Sequence, residues 1–335
     1  SLYDLRRSVP SAIDGLKPSQ RKVLYTCLKG KMSKANEMKV NTLAGHVTAQ
    51  TAYHHGEGSL HQTIIKMAQD FVGSNNVPLL EPEGQFGSRA SGGKDAAAPR
   101  YIGTRLGALT PLLYPKDDLD VLHYEEEDGE FVEPVHFVPL LPTLLLNGAE
   151  GIGTGWSTTC YGYHPMTVLD NVLAHAEGLP MVPMVPWAAG FIGEIELRTG
   201  SGQGKPVELR AVAAGTVPSR FLSRGVVELT PKGVVVTELP LGEWTSNYKE
   251  WLLKEKAEKG DDVEWDSFTE QHTDRSVYFA FKHSAKQLRV LGGLDQAQLC
   301  KMFQLEGKHS LGNMHAFNAM GELCRFERPE EIIEM

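Results

Sequence analysis

Arg100 and Tyr101 are the neighbouring residues of this sequence that best suit chemistry on a phosphate group. A tyrosine hydroxyl has a pKa of about 10 and becomes an effective nucleophile only when a nearby cation or metal stabilises its phenolate form. The guanidinium group of an arginine carries forked donors that match the oxygens of a phosphate. We therefore take Tyr101 as a candidate nucleophile and Arg100 as a candidate phosphate contact, although a structural role for this common dipeptide stays open.

Two adjacent histidines, His54 and His55, are candidates to position or protonate a phosphate oxygen, because imidazole titrates near neutral pH. They fall in a glycine-containing turn, and an ordinary polar turn is the alternative. A zinc site with His61 is not predicted, since no cysteine or carboxylate set completes it. The acidic run at residues 117–120 fits a solvated turn better than an ion site. We therefore predict no metal site in this chain.

Three predicted helices must position these residues. Pro18 suits the first turn of a helix, and the apolar stripe that follows predicts a helix over Pro18–Lys29. Similar stripes predict helices over residues 43–51 and 60–71, the last with Ser59 as its N-cap. Helix, glycine-containing turn and helix in this order indicate a helix-turn-helix arrangement.

Basic residues accompany these elements. Arg21 and Lys22 lie on the polar face of the first predicted helix, and we expect both to contact a polyanion. Lys94, a third candidate, lies in a loop rich in glycine and serine over residues 82–100. Loops longer than about 12 to 15 residues are usually functional or disordered. This loop leads directly to the Arg-Tyr pair, and a helix is predicted after it, over residues 101–113.

The second half of the chain has a strand-rich pattern, with β-branched residues punctuated by glycine and proline. Strands are predicted over residues 191–197, 207–212, 224–229, 234–238 and 276–282. A charged helix is predicted over residues 244–259. The fold class is therefore α+β, with a helix-turn-helix domain followed by a mostly β domain.

Charge is distributed unevenly along the 335 residues, whose net charge is −9. Residues 1–110 hold 14 Lys and Arg against 8 Asp and Glu, a net +6, and the remainder holds 19 against 34, a net −15. Such asymmetry suggests a polyanion-binding part joined to an acidic part, although ordinary surface charge is the alternative. Four widely spaced cysteines argue against a disulfide framework and favour reduced thiols inside the cell, and no apolar run is long enough to span a bilayer. Because the sequence begins at Ser1 and stops at Met335, we expect a piece of a larger protein.

Seven strings in the first half combine into a specific pattern. In chain order they are RSVPSAIDGLKPSQRKVL (7–24), AYHHGE (52–57), FVGSNN (71–76), GQFG (84–87), GGKD (92–95), PRYI (99–102) and NGAEGIGTGW (147–156). Together they resemble the breakage-reunion region of eukaryotic-type DNA topoisomerase II, and looser similarity covers the rest of the chain. The resemblance implies a winged-helix domain over residues 1–155, a tower domain over residues 156–325, and the start of a coiled-coil arm over residues 326–335.

The resemblance also assigns roles to individual residues. It implies that Tyr101 is the nucleophile that forms a 5′-phosphotyrosyl link and that Arg100 stabilises the phosphate. His54 and His55 match the pair near the cleaved phosphate. Ile152 matches an apolar wedge that inserts between base pairs and bends the DNA, because an apolar side chain flanked by glycines can approach a base step closely. A buried turn residue is the alternative for this isoleucine.

The enzyme implied by the resemblance is a homodimeric, ATP-dependent type IIA topoisomerase that cuts one DNA duplex, passes another through and reseals the first. Its Mg²⁺ ligands would lie on a TOPRIM domain and its ATP site on an ATPase domain, neither of which has a counterpart in this sequence. The chain alone should bind and bend double-stranded DNA without cleaving it. A nuclear location is expected, with a mitochondrion or another organelle that contains DNA as the alternative.

The sequence departs from the eukaryotic pattern at three positions near the predicted site. Gly103 and Arg105 stand where an aromatic and an apolar residue are common, and Gly58 stands where a larger residue is usual. Local packing and the response to drugs that bind near the cleavage site are therefore open. Two other interpretations are a bacterial protein of the gyrase A type, which the YHHGE and PRYI strings disfavour, and a non-catalytic protein that bends DNA.

Overall fold

The computed structural model describes residues 2–30, 36–200, 204–260 and 265–335. The N-terminal part combines short helices with a small sheet. In chain order its elements are α1 (Leu2–Ser8), α2 (Pro18–Lys29), β1 (Met38–Lys39), α3 (Val40–Thr51), α4 (Glu57–Ala68), β2 (Leu80–Glu83), β3 (Gly103–Leu106) and α5 (Thr110–Leu113). Helices α2, α3 and α4 pack against one another, and β1, β3 and β2 form an antiparallel sheet in that order. Three helices beside a small sheet form the predicted winged helix.

Helix α2 begins and ends where the sequence predicts. Pro18 occupies its first turn, and the side chain of Gln20 accepts a hydrogen bond from the backbone N–H of Lys17 at 2.9 Å. The apolar stripe of Val23 and Leu24 is fully buried. Local signals at the helix start and burial of one face are therefore sufficient to define this helix.

The other two helices begin earlier than predicted. Helix α3 starts at Val40 rather than at residue 43, and α4 starts at Glu57. Gly56, with φ of 86°, precedes α4 in a conformation that glycine adopts without strain. Ser59 consequently lies inside the first turn of α4 and is not its N-cap. Glu57 in that turn places a negative charge at the positive end of the helix.

The predicted helix over residues 101–113 is wrong, because this segment holds strand β3 and the single-turn helix α5. Strand β3 is the central strand of its sheet, paired with both β1 and β2. A Cβ atom on Gly103 would lie 1.8 Å from Oε1 of Glu37, and one on Gly107 would lie 2.5 Å from the carbonyl oxygen of Pro78. These close approaches, together with pairing to distant strands, outweigh the helical apolar pattern.

The N-terminal part continues with two hairpins and three helical segments, and a third hairpin from the end of the chain packs against it. The elements are a 3-10 helix (Lys116–Asp120), β4 (Tyr124–Glu127), β5 (Glu130–Pro134), α6 (Thr143–Asn147), β6 (Ala149–Gly153), β7 (Trp156–Cys160) and α7 (Pro165–Ala176). Strands β4 and β5 form one antiparallel hairpin, and β6 and β7 form another. The third hairpin comes from the end of the chain, where a strand over Met314–Phe317 lies beside β7.

The remaining elements form the predicted β-rich region, and the last of them pack against the N-terminal part. They are β8 (Glu194–Thr199), β9 (Lys205–Pro206), α8 (Leu209–Ala213), β10 (Arg220–Arg224), β11 (Val226–Thr230), β12 (Gly233–Glu238), α9 (Thr245–Lys259), β13 (Ser267–Glu270), β14 (Phe279–Lys282), α10 (Ala285–Leu291), α11 (Gln296–Met302), β15 (Glu306–Ser310), β16 (Met314–Phe317), β17 (Leu323–Phe326) and α12 (Glu330–Glu334). Two four-stranded sheets dominate, in the orders β15-β10-β8-β9 and β11-β12-β14-β13. In the described part of the chain, no helix has the length and apolarity that crossing a membrane requires.

Two strand predictions in this region need correction. The segment 207–212 is mostly the short helix α8, because leucine, arginine and alanine are good helix formers. The predicted strand over residues 224–229 is interrupted at Gly225, which separates β10 from β11. A Cβ atom on Gly225 would lie 2.2 Å from the carbonyl oxygen of Glu238, so only glycine fits where the chain passes from one sheet to the other.

The hydrophobic side chains form two large cores. The first core is formed by residues between Ala12 and Met184 together with four residues near the end of the chain. The second core is formed by residues between Val227 and Leu305. The predicted boundary after residue 155 falls inside the β6–β7 hairpin, where Gly153 pairs with Trp156. The glycine-rich string thus contains strand β6 and the turn of this hairpin.

The glycine-rich loop that precedes Tyr101 also joins the two cores. Arg89, on this loop, forms a buried ion pair with Glu238 of β12. Trp244 packs against Gly92 of the same loop and forms an edge-to-face contact with Phe71, with ring centroids 5.9 Å apart. The β-rich region therefore holds the loop that leads to the candidate nucleophile.

Candidate functional site

Tyr101 lies in a turn between the glycine-rich loop and strand β3. Its backbone N–H donates to the carbonyl oxygen of Ala98 at 2.9 Å. The next residue, Ile102, is buried in the first core, and its carbonyl oxygen accepts from the backbone N–H of Val40 at 3.1 Å. With the turn anchored on both sides, the side chain of Tyr101 projects outward and is 66% exposed. A large substrate can therefore reach its hydroxyl.

Positive charge surrounds the turn. The Arg100 guanidinium carbon lies 4.8 Å from the centroid of the Tyr101 ring, a cation–π contact. The Lys39 Nζ donates to the carbonyl oxygen of Tyr101 at 3.2 Å. The first two N–H groups of α3 donate to carbonyl oxygens of this turn, so the positive end of the helix dipole also lies here. Lys39 also pairs with the carboxylate of Glu37 at 3.5 Å, so Arg100 and the start of α3 are the groups that most favour an anion beside Tyr101.

Exposure separates Tyr101 from most other tyrosines. Five tyrosines are at most 6% exposed and cannot meet a large substrate: Tyr25, Tyr53, Tyr114, Tyr163 and Tyr248. Among the residues that the structure describes, Tyr3 is the one other largely exposed tyrosine, at 72%. Its hydroxyl lies 3.2 Å from Nε2 of His55. Hydroxyl and imidazole in this arrangement form a second candidate pair of nucleophile and base.

His54 and His55 lie in the predicted turn, between α3 and α4, and each has a partner. Nε2 of His54 is 3.3 Å from a carboxylate oxygen of Glu127, which is on β4. Burial, followed by the positive charge of Arg7, lowers the pKa of His55. A lowered pKa favours the neutral imidazole at pH 7, so His55 offers hydrogen bonding rather than a full positive charge.

Arg21 does not occupy the position expected of a DNA contact. It is 7% exposed, and its Nε and Nη2 atoms lie 2.7 Å and 3.1 Å from the two carboxylate oxygens of Asp14. Nη2 also donates to the carbonyl oxygen of Leu16 at 3.1 Å. Asp14 is fully buried and requires a cation at this position. The side chain of Arg21 therefore turns inward, and we remove it from the candidate DNA contacts.

Lys22 is also engaged within the protein. Its Nζ lies 2.8 Å from a carboxylate oxygen of Glu133 and 3.5 Å from one of Glu127, and it donates to the carbonyl oxygen of Thr51. Its side chain is only 12% exposed. Contact with a DNA phosphate would require these bonds to break, so this position does not support the predicted role.

Lys94 is exposed on an ordered loop. The loop is fixed by Asp95, whose carboxylate accepts from the backbone N–H of Ser88 at 2.9 Å and from its hydroxyl at 2.6 Å. The side-chain amide of Gln69 donates to the carbonyl oxygen of Gly93 at 3.2 Å. Lys94 thus extends from a fixed backbone and remains a candidate for phosphate contact.

Ile152 lies on β6 with 86% of its side chain exposed, so the alternative of a buried turn residue is excluded. A Cβ atom on Gly151 would lie 1.9 Å from the carbonyl oxygen of Ser8. Glycine at this position lets the hairpin lie directly against α1. An apolar side chain of this exposure is suited to insertion between bases.

Three polar residues near these groups are not identified from the sequence. Lys39 contacts the turn of Tyr101, Asp4 accepts hydrogen bonds from Thr154, and the Lys17 Nζ donates to the carbonyl oxygen of Glu150. The partners lie 62, 150 and 133 positions apart in the sequence. No local spacing signals such contacts, because the fold alone brings the partners together.

The three departures from the eukaryotic pattern have different surroundings. A Cβ atom on Gly58 would meet open space, whereas one on Gly103 would collide with Glu37. Arg105 pairs with two carboxylates of β2, Glu81 at 2.6 Å and Glu83 at 2.9 Å. Arg105 therefore ties the strand that follows Tyr101 to its neighbour, and a larger residue at position 103 requires Glu37 to move.

The candidate residues form two separate groups. Tyr101 and Arg100 lie together with Lys39, whereas His54 and His55 lie with the acidic hairpin and α1. Within residues 2–30, 36–200, 204–260 and 265–335, no hydrogen bond or ion pair joins the two groups. The same ranges contain no group of three or more His, Cys, Asp or Glu side chains arranged to hold a metal ion.

Comparison with known proteins identifies the relatives of this chain. DNA topoisomerase 2 of Arabidopsis thaliana is 43% identical over 334 residues, which cover 100% of this chain and 21% of that protein. The mitochondrial DNA topoisomerase 2 of Dictyostelium discoideum is 39% identical over 331 residues, which cover 98% of this chain and 24% of that protein. The chain thus spans about a fifth to a quarter of the length of these curated relatives.

A solved structure and a family model agree with these relatives. The topoisomerase II DNA-binding, cleavage and re-ligation domain of Plasmodium falciparum matches with a TM-score of 0.87 and 37% identity, over 99% of this chain and 42% of that one. The model of the family of DNA gyrase/topoisomerase IV A-subunits matches residues 7–335. The resemblance to eukaryotic-type DNA topoisomerase II is confirmed, and the chain belongs to the DNA gyrase/topoisomerase IV A-subunit family.

Proposed function

We propose that this chain is the cleavage and reunion segment of a homodimeric, ATP-dependent type IIA DNA topoisomerase. The observation that carries the proposal is the exposed hydroxyl of Tyr101, held in an anchored turn beside Arg100 and the start of α3. Family membership and the likeness to a DNA-binding, cleavage and re-ligation domain support it. The substrate is double-stranded DNA.

The reaction is a reversible exchange of phosphodiester bonds. The phenolic oxygen of Tyr101 attacks a DNA phosphorus and forms a Tyr–O–P bond while the bond from phosphorus to the 3′ oxygen breaks. The phenol loses its proton and the departing 3′ oxygen gains one. Attack by that 3′ hydroxyl on the tyrosyl phosphate restores the DNA, and no cofactor is consumed because the phosphodiester is exchanged rather than hydrolysed.

Arg100 and Lys39 act differently in this scheme. Arg100 is exposed and its guanidinium can turn from the Tyr101 ring to the phosphate, where its charge favours the transition state. Lys39 contacts the backbone of Tyr101 and fixes the turn. The N-terminal end of α3 adds a fixed positive potential that needs no rearrangement during the reaction.

Magnesium and ATP are assigned to other regions of the enzyme. From the family to which the chain belongs, we propose that the Mg²⁺ ligands lie on a TOPRIM region and the ATP site on an ATPase region outside this chain. Magnesium would stabilise the attacking and leaving oxygens. The residues of this chain bind DNA, bend it and supply the nucleophile.

The DNA surface is proposed to comprise His54, His55 and Lys94, which belong to the net positive residues 1–110, together with the Ile152 wedge. We propose a winged-helix unit that extends to about residue 190 and includes the last 22 residues, 314–335, with the β-rich tower inserted between them. The location is a compartment that contains DNA. A nucleus is favoured over a mitochondrion, although one relative is named as mitochondrial.

A strand-passage assay tests this function. An enzyme rebuilt with TOPRIM and ATPase regions should separate linked duplex circles when ATP and Mg²⁺ are present. Arg100→Ala should leave slow residual activity, because a positioned cation stabilises charge without forming the bond, and Arg100→Lys should recover only part. A rebuilt enzyme that bends DNA but never separates the circles would favour a non-catalytic architectural protein.

A further inference from the structure

Helix α1 contacts two parts of the proposed DNA surface, His55 and the hairpin that carries Ile152, although no role is predicted for it from the sequence. The hydroxyl of Tyr3 lies 3.2 Å from His55. The next residue, Asp4, uses its Oδ2 to accept from the backbone N–H of Thr154 at 2.7 Å and from its hydroxyl at 2.9 Å. Thr154 is in the turn of the hairpin that carries Ile152.

The packing of the hairpin against α1 determines which way Ile152 faces. A Cβ atom on Gly151 would meet the backbone of Ser8, and one on Gly153 would lie 2.9 Å from the side chain of Leu5. These two glycines therefore face α1. Ile152 lies between them on the same strand, and successive residues of a strand face opposite sides. Contact of the glycines with α1 thus directs Ile152 into solvent.

The turn itself is of a kind that needs outside support. Gly153 pairs with Trp156, which leaves a loop of two residues. Thr154, the first central residue of the turn, is not among the described residues with positive φ, whereas Gly155, the second, has φ of 78°. A negative φ followed by a positive φ is typical of a type II turn. Two-residue hairpins prefer turns with positive φ at the first central position, because those match the twist of the strands. Both hydrogen bonds from Thr154 end on the same carboxylate oxygen of Asp4 and hold this less favoured turn.

We propose that Asp4 is a positioning residue for DNA bending: it clamps the turn of the hairpin against α1 so that Ile152 keeps its direction when it enters a base step. The inference rests on the proposed function, in which Ile152 is the wedge. The hairpin is braced through β7, where Thr158 is hydrogen-bonded to His315, whereas unstacking bases pushes back on the side chain carried by the other strand, β6. A clamp at the turn, with a second contact from Lys17 to the carbonyl oxygen of Glu150, resists that force.

The test compares two substitutions of Asp4 in the full chain. Asp4→Ala removes the oxygen that accepts both hydrogen bonds from Thr154, whereas Asp4→Asn removes the charge but keeps one acceptor oxygen. Fluorescence transfer between the ends of a short duplex at saturating protein reports the bend, and fluorescence anisotropy with the same duplex reports affinity. Glu208→Ala is the control, since it also removes one solvent-exposed carboxylate, paired with Arg210 on α8, and leaves the clamp intact.

We expect Asp4→Ala to lower the ratio of bent to straight DNA about two- to fivefold, the scale of a solvent-exposed charged contact. Affinity should rise slightly or stay within about twofold, because a negative charge is lost from a DNA-binding surface. Asp4→Asn should retain most of the bend and Glu208→Ala all of it. Amide hydrogen exchange over residues 149–160 should accelerate in Asp4→Ala alone.

Several results would overturn the proposal. Bending by Asp4→Ala equal to that of the wild type would do so, even if hydrogen exchange accelerated, because the clamp would then be merely structural. Equal losses in Asp4→Ala and Asp4→Asn would attribute the effect to charge instead of to the clamp. The wedge itself is tested by Ile152→Ala in the same assay. Unchanged bending in Ile152→Ala removes the wedge from the proposed function and this inference with it, whereas sensitivity to Ile152 without sensitivity to Asp4 overturns this inference alone.

Discussion

Replacing Arg21 by alanine should destabilise the N-terminal core rather than weaken a DNA contact. Asp14 is fully buried and accepts four hydrogen bonds, two from Arg21 and one each from the backbone N–H groups of Leu16 and Phe137, both at 3.0 Å. The substitution removes half of these donors and the only paired charge that the carboxylate has among the described residues. Loss of one partner of a buried ion pair costs about 3 to 5 kcal/mol of folding free energy.

The free energy of unfolding, measured by urea denaturation, checks this magnitude. Arg210→Ala is a matched control, because Arg210 pairs with Glu208 at 2.6 Å but both side chains are more than two-thirds exposed. We expect the control to change stability by less than about 1 kcal/mol. Combining Arg21→Met with Asp14→Asn should cost less than Arg21→Met alone, since no uncompensated charge then stays buried.

DNA binding by the same variants separates the two roles of Arg21. A phosphate contact would reduce the slope of log affinity against log salt concentration by about 0.9, whereas a buried arginine should leave the slope of the folded protein unchanged. An Arg21→Ala variant with the urea midpoint of the wild type, a lower DNA affinity and a shallower salt slope would refute the reasoning. Arg21 would then return to the DNA contacts.

Three further predictions concern other parts of the chain. Ile152→Ala should change the free energy of unfolding by less than about 0.5 kcal/mol, because the side chain is exposed, yet reduce the DNA bend seen by fluorescence transfer. Burial lowers the pKa of His309 to about 4, below the usual histidine value of 6.5. Between pH 6.5 and pH 4 the unfolded chain therefore binds a proton at this histidine more readily than the folded chain. Lowering the pH through this range should destabilise the fold. Urea midpoints at several pH values should show a smaller acid loss in His309→Gln. Lys39→Ala should slow DNA cleavage by the rebuilt enzyme about tenfold while DNA affinity is maintained, and Lys39→Arg should recover part of the cleavage rate. The measurement compares the fraction of DNA cleaved with the fraction of DNA bound for each variant.

Local sequence signals predict the elements that depend on local interactions. Helix α2 has its proline and glutamine at the first turn and a buried apolar face, and both of its ends are correctly predicted. Residues 101–113 also carry a helical apolar pattern, but β3 pairs with strands that begin at residues 38 and 80. Pairing with distant strands overrides the local pattern, and no local signal reveals it.

The candidate site shows the same division. Tyr101, Arg100 and Ile152 are found from the sequence because their neighbouring residues match family strings, and all three are exposed as their proposed roles require. Arg21 is misassigned when its helix face is judged without Asp14, whose buried carboxylate also accepts a hydrogen bond from Phe137, 123 positions away. Asp4 is missed for a similar reason, since its partner lies 150 positions along the chain.

Covalent capture of DNA on Tyr101 tests the central claim most directly. The rebuilt enzyme is incubated with end-labelled duplex DNA and Mg²⁺ and then denatured, and label that migrates with protein is measured for the wild type, Tyr101→Phe and Tyr3→Phe. Tyr3 is the matched control, because it is equally accessible and already lies beside a histidine. We predict protein-linked label in the wild type and Tyr3→Phe and none in Tyr101→Phe. Label that persists in Tyr101→Phe and disappears in Tyr3→Phe would show that Tyr3, paired with His55, is the nucleophile instead.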